Sequence, residues 1–250
     1  MKTLVGIFTA QVAAATAYRE LRSLGIHGEG LIVLTPGASL QQLEGVPAEE
    51  GEQPGMGKVL GGVIGGAFGL AAGAALANLV LPGVGPVIAI GLTAGSLGLG
   101  GAAAGAAGGG ALENLLTRGL PKDEIFFYED ALRQGRTVII IVSDDDDLLS
   151  QGRQIMENNG AESLDAAREK WWIGLRDSEK TEYVGPAENH DERLYRLGFE
   201  AALDPDLRGK AFADATGTLA ERFPRIYQEE SFARGYHGAQ RYYPALQKRQ

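Results

Sequence analysis

The chain has 250 residues, 44% of them hydrophobic, and its 23 Lys and Arg against 32 Asp and Glu give a formal net charge of −9. That balance weighs against general nucleic-acid binding and against electrostatic adhesion to anionic lipid, since both need a Lys/Arg-rich face. Cysteine is absent, so disulfides, thiol catalysis and cysteine metal sites are excluded.

The N-terminal run MKTLVGIFTAQV is too short in apolar residues for a signal peptide. Residues 3–9, TLVGIFT, read as a buried strand. A helix follows, with Val12, Ala15, Tyr18, Leu21 and Leu24 on one face and Gly25 as its C-cap. Residues 30–35, GLIVLT, give a second strand that Pro36 and Gly37 break. Residues 39–58 are acidic and rich in Gly and Pro, the composition of a linker.

Residues 59–112 carry no charge at all. They read as two apolar helices, 59–81 and 87–112, joined by a turn at Pro82, Gly83, Gly85 and Pro86. Each is long enough to cross a ~30 Å hydrocarbon core at ~1.5 Å per residue. Glycines recur every four residues at Gly61, Gly65, Gly69 and Gly73, then at Gly91 and Gly95, and again at Gly101, Gly105 and Gly109. Residues four apart share a helix face, so each helix would carry a groove for close backbone contact, as in membrane helix pairs. These nine glycines are the candidate oligomerisation residues. Two readings stay open, a hairpin inserted in a bilayer and a hairpin buried in the core of a homo-oligomer. A flexible linker would lack Leu79, Val80, Leu81, Val87, Ile88 and Ile90.

Beyond the hairpin, residues 121–135 read as a helix with Ile125, Tyr128 and Leu132 inward and Gly135 at its end. TVIIIV, residues 137–142, is the clearest strand in the chain, SDDDDLLSQGRQIMENNG makes a helix, and residues 161–164 close as a last strand. The order β-α-β, insertion, α-β-α-β describes an α+β, ferredoxin-like domain in two halves, 1–38 and 119–165. Both ends of the insertion then emerge on one side, which a helical hairpin satisfies. Lys58, Arg118 and Lys122 flank it there and favour a cytoplasmic location for the domains.

These motifs, VGIFT with its helix and strand, the glycine-zipper segment with LPGVGP, and RGLPKDEIFFYEDALRQG followed by TVIIIV and NNGAE, resemble the bacterial heat-induced general stress protein family. The resemblance covers roughly residues 1–165. It implies a ferredoxin-like domain interrupted by a glycine zipper, and a stress-associated, membrane-associated protein. It brings no catalytic residues.

Residues 166–190 read as a charged connector, in which Trp171 and Trp172 sit either at a lipid interface or over the core of the neighbouring domain. Residues 191–250 read as a small helical domain. Within it YRLGFEAALDP and FARGYHGAQRYYP echo each other: Tyr195, Gly198 and Phe199 match Phe232, Gly235 and Tyr236. An aromatic, a glycine and a second aromatic at i, i+3 and i+4 share one helix face, which serves either as a packed core or as a docking surface.

Chemistry is sparse. The run Asp144, Asp145, Asp146, Asp147 opens a helix, where carboxylates accept free N–H groups; four oxygen ligands also make it a weak metal candidate. His27, His190 and His237 stand apart, without paired Glu-x-x-His motifs. Neither a P-loop, a dinucleotide fingerprint nor a GxSxG elbow occurs. The expectation is therefore a protein that is not an enzyme, with no catalytic residue, cofactor, small-molecule substrate or nucleic-acid partner. It associates with itself and with a lipid bilayer through the hairpin. The alternatives are a soluble homo-oligomeric scaffold and a ligand-sensing ferredoxin-like module.

Overall fold

A computed structural model describes residues 2–37, 76–81, 84–91, 120–183 and 188–248. They fall into two units, residues 1–120 with 128–164 and residues 121–127 with 165–250.

The first unit is α+β. Its strands are β1 (Lys2–Phe8), β2 (Leu31–Pro36), β3 (Leu76–Leu81), β4 (Gly85–Ile90) and β5 (Thr137–Ser143). They form one antiparallel sheet in the order β1-β5-β2-β4-β3. Helix α1 (Gln11–Ser23) links β1 to β2, α2 (Ile125–Arg133) precedes β5, and α3 (Asp146–Asn158) follows it. The order interleaves two split crossovers: β1-α1-β2 straddles β5, and β4-α2-β5 straddles β2.

Leu4, Phe8, Leu31, Val33, Ile139 and Ile141 present one face of the sheet to Ala14, Tyr18 and Leu21 of α1 and Met156 of α3 in a single core. On the opposite face Ile7, Ile32, Leu34, Val87, Val138 and Ile140 are buried as well. Burial on both faces explains why LIVL and TVIIIV are continuous apolar runs without alternation. Close packing of α3 uses Gly152, where a Cβ would come within 2.7 Å of Ile141 Cδ1.

Local signals fixed the helix ends. Ile26 N–H donates to Leu21 O at 3.2 Å and Gly25 N–H to Arg22 O at 3.0 Å, a Schellman closure with Gly25 at φ +97°. Gly135 and Gly160 close α2 and α3 by the same pair of bonds. Val12, expected inward, is 74% exposed, because the buried stripe of α1 runs through Ala14, Ala15, Ala17, Tyr18 and Leu21.

Four expected elements differ. Over residues 76–81 and 85–90, the described parts of the two expected apolar helices and their turn, the chain forms strands. The closing strand at 161–164 is a single antiparallel bridge, Ile7 to Glu162, and Leu164 already opens a helix. The connector 166–190 lies mostly within α4 (Leu164–Tyr183).

That helix belongs to the second unit, with α5 (Glu188–Leu203), α6 (Phe212–Arg222) and α7 (Glu230–Gln247). Helices α5 and α7 cross at Gly198 and Gly235. Phe126, Trp171, Phe199 and Tyr242 pack around them with ring centroids 5.3–6.4 Å apart.

Candidate functional site

The charge-free stretch is where sequence and structure diverge most. Leu76 pairs with Ile90 and Leu81 with Gly85, so residues 76–90 are an antiparallel hairpin that continues the sheet through β4 against β2. The reversal falls where the turn was expected, with Val84 N–H donating to Leu81 O at 3.0 Å and Gly85 at φ +90°. It joins strands, not helices. Val80, Val84, Val87, Ile88 and Ile90 are β-branched and stiff at χ1, which favours the pleated sheet, whereas Gly and Ala dominate on either side. An apolar run of this length has no periodicity that separates strand from buried helix. The β-branched enrichment was the available signal.

Pro86 sits in β4 opposite Val80, and its carbonyl accepts from Gly37 N–H at 3.2 Å. Gly91 follows β4 at φ +90°, with its missing Cβ directed at Leu31 O, 2.2 Å away. Its smallness admits the backbone of β2 and serves no helix face. Gly61, Gly65, Gly69, Gly73, Gly95, Gly101, Gly105 and Gly109, and the turn residues Pro82 and Gly83, lie outside the described residues.

The acidic run is a helix start. Asp145 Oδ1 accepts from Asp147 N–H at 2.9 Å and Leu148 N–H at 3.1 Å, and Ser143 Oγ accepts from Asp145 N–H at 3.0 Å. Asp146 pairs with Lys2 at 2.5 Å. Among the described residues no group of three His, Asp or Glu side chains is placed to hold a metal ion. His27 precedes the 3-10 turn Gly28–Gly30, and His237 Nδ1 lies 3.1 Å from Gln240 Oε1; His190 lies in α5.

The docking-surface reading of the aromatic-glycine repeats is corrected. Tyr195, Phe199, Phe232 and Tyr236 are buried within the helical unit, and a Cβ on Gly198 or Gly235 would lie 1.9 Å from the carbonyl oxygen of Phe232 or Tyr195. The lipid-interface reading of the tryptophans falls too. Both are buried, Trp171 Nε1 donating to Tyr242 Oη at 3.2 Å and Trp172 Nε1 to Glu192 Oε1 at 2.9 Å.

Buried polar groups that sequence reading passed over also hold structure. Asp204 accepts from Arg222 Nη1 at 2.6 Å and from Asp206 N–H at 2.8 Å, fixing the loop after α5. Tyr236 Oη lies 3.0 Å from Lys210 O and 3.1 Å from Leu207 O; burial, then the charge of Asp214, pushes its pKa up to about 12. In the sheet unit Asp130 is paired with Arg133 at 3.0 Å and Gln134 at 2.5 Å, and Arg136 with Glu162 at 2.8 Å. Burial raises the Asp130 carboxyl above its ordinary value against the pull of Arg133 and Arg136. An open groove of about 500 Å³ runs along α1 past Thr16, Arg19, Glu20, Ser23 and Ile155. Its hydroxyls point back into their own helix, Thr16 to Val12 O and Ser23 to Arg19 O.

Among the described residues no helix is long and apolar enough to cross a membrane. No family model, curated protein or solved structure matches the chain.

Proposed function

We propose that the chain is a self-associating structural protein, without catalysis of its own, whose copies assemble through the charge-free region 59–112. One observation carries this reading. The pairing of β3 with β4, and of β4 with β2, puts a charge-free hairpin at the end of the sheet. Two Gly/Ala-rich stretches of small-xxx-small pattern, residues 59–75 and 92–112, flank it in the sequence, a composition that suits close backbone packing between copies.

Chain length favours assembly over bilayer insertion. Each stretch is tied at both ends to the sheet unit. To cross and return, an excursion needs about 40 apolar residues. Residues 92–119 number 28, and residues 38–75 include the charged run Glu44, Glu49, Glu50, Glu52 and Lys58. The sheet unit reads as a variant of the ferredoxin-like class on the strength of its two split crossovers, with β5 and β2 as the central pair. The resemblance to the heat-induced general stress proteins would add a stress-linked role, and it rests on the residue order of the first two thirds of the chain.

The test is fractionation with and without detergent, followed by sedimentation of the purified chain. A homo-oligomer in the detergent-free fraction that shrinks in Gly65→Leu and Gly69→Leu supports the reading. Recovery only with detergent moves the stretch into lipid, and a monomer at every concentration overturns self-association.

A further inference from the structure

We propose that two copies of this chain join β3 to β3 about a two-fold axis, making one continuous antiparallel sheet across the dimer. The proposal rests on the reading of the chain as self-associating and names the surface that reading leaves open. Sheets end in a row of unpaired N–H and C=O groups, and proteins block such rows with charges, prolines or covering segments. The two edges of this sheet are treated differently. On β1, Ile7 exchanges both backbone bonds with Glu162, at 2.9 and 2.8 Å, and Lys2 at the strand's start is held by Asp146. On β3, the sequence LANLVL offers neither a charge nor a proline, and its outer row has no partner among the described residues.

A second copy fits this edge for two further reasons. All neighbours in the sheet are antiparallel, and a strand that pairs with its own copy about a two-fold is necessarily antiparallel, so the sheet continues without a change of pattern. The charge of −9 repels one copy from another, but none of it resides in residues 59–112. Strands β3 and β4 thus bring no like charge of their own to such a contact.

The experiment uses the full chain. Because it has no cysteine, Asn78→Cys gives a single spin-label position. Wherever the axis falls along six residues at ~3.3 Å each, the two labels lie within about 20 Å. Asn78→Pro and Leu79→Pro are made beside it, since successive N–H groups point to opposite sides of a strand. One of the two removes only an outward donor, so it should keep the native circular dichroism and lose roughly half the particle mass. Labels farther apart than that in an oligomeric sample, or an unchanged particle in both proline variants, overturn the β3 contact, and an intramolecular cover of the edge is then the reading that remains. A monomeric unsubstituted chain instead sinks the self-association it rests on.

Discussion

Gly198 and Gly235 are mutual contact points: each helix places a backbone carbonyl where the other glycine's Cβ would be, Phe232 O against Gly198 and Tyr195 O against Gly235, both at 1.9 Å. Backbone on backbone leaves no flexible side chain to give way. Gly198→Ala or Gly235→Ala should cost about 3 kcal/mol, the upper range for overpacking. The control is Gly217→Ala on α6, with open space around it, which should stabilise by roughly 0.5–1 kcal/mol. Urea unfolding of the three variants gives the comparison. Equal effects at positions 198 and 217 would refute the close crossing.

Within the run of four aspartates, Asp145 accepts the free N–H groups of α3 at Asp147 and Leu148. Asp145→Ala should lose about 1 kcal/mol, as N-cap removals do. Asp146→Ala breaks only an exposed pair with Lys2 and should lose no more than a few tenths. A larger loss at position 146 than at 145 would contradict the assignment, and thermal melts suffice to rank them.

The side chain of Asp204 is 1% exposed and that of Arg222 33%, so the arginine is the partner that can be removed without opening a cavity. Arg222→Ala leaves a buried carboxylate without its cation and should cost about 3 kcal/mol, the lower end for broken buried pairs because Arg222 is partly hydrated. Asp204 still receives Asp206 N–H, which keeps the loop anchored at one point. A loss below 0.5 kcal/mol would mean that solvent replaces the guanidinium.

Tyr236 predicts an alkaline transition. Its folded pKa of about 12 lies above the ordinary 10.0, so the folded state holds the phenolic proton more tightly. Its contribution is complete below pH 10 and is lost as pH rises toward 12. Tyr236→Phe, which gives up the bond to Lys210 O or Leu207 O, should start less stable and show no loss from this group in that window. Unfolding free energies of the two proteins between pH 9 and 11.5 should converge; parallel curves would exclude the assignment.

Much of the sheet unit was legible because local and tertiary signals agree there. Gly25 and Gly135 mark helix ends that close as the sequence suggests, and TVIIIV has the continuous apolar character of a strand buried on both faces. The hairpin was misread for a physical reason. Twenty-odd apolar residues satisfy the length rule for a spanning helix whether or not β-branched residues cluster at the end next to the turn, and only the pairing of β4 with β2 decides between the two. The aromatic-glycine repeats were correctly placed on helix faces, yet nothing in one sequence says whether such a face meets its own chain or another. Glu162 and Arg136 left no local mark at all, since their partnership spans 26 residues and depends on where β1 lies.

The strand order also bears on how the molecule is made. β5 occupies the gap between β1 and β2, so the two N-terminal strands acquire their shared neighbour only when residues 137–143 have left the ribosome. Until then residues 1–136 hold an unfilled slot in the sheet together with the whole charge-free region, and closing that slot is a late, long-range event of the kind that slows folding. Such a waiting chain exposes apolar strands to its neighbours on the same messenger.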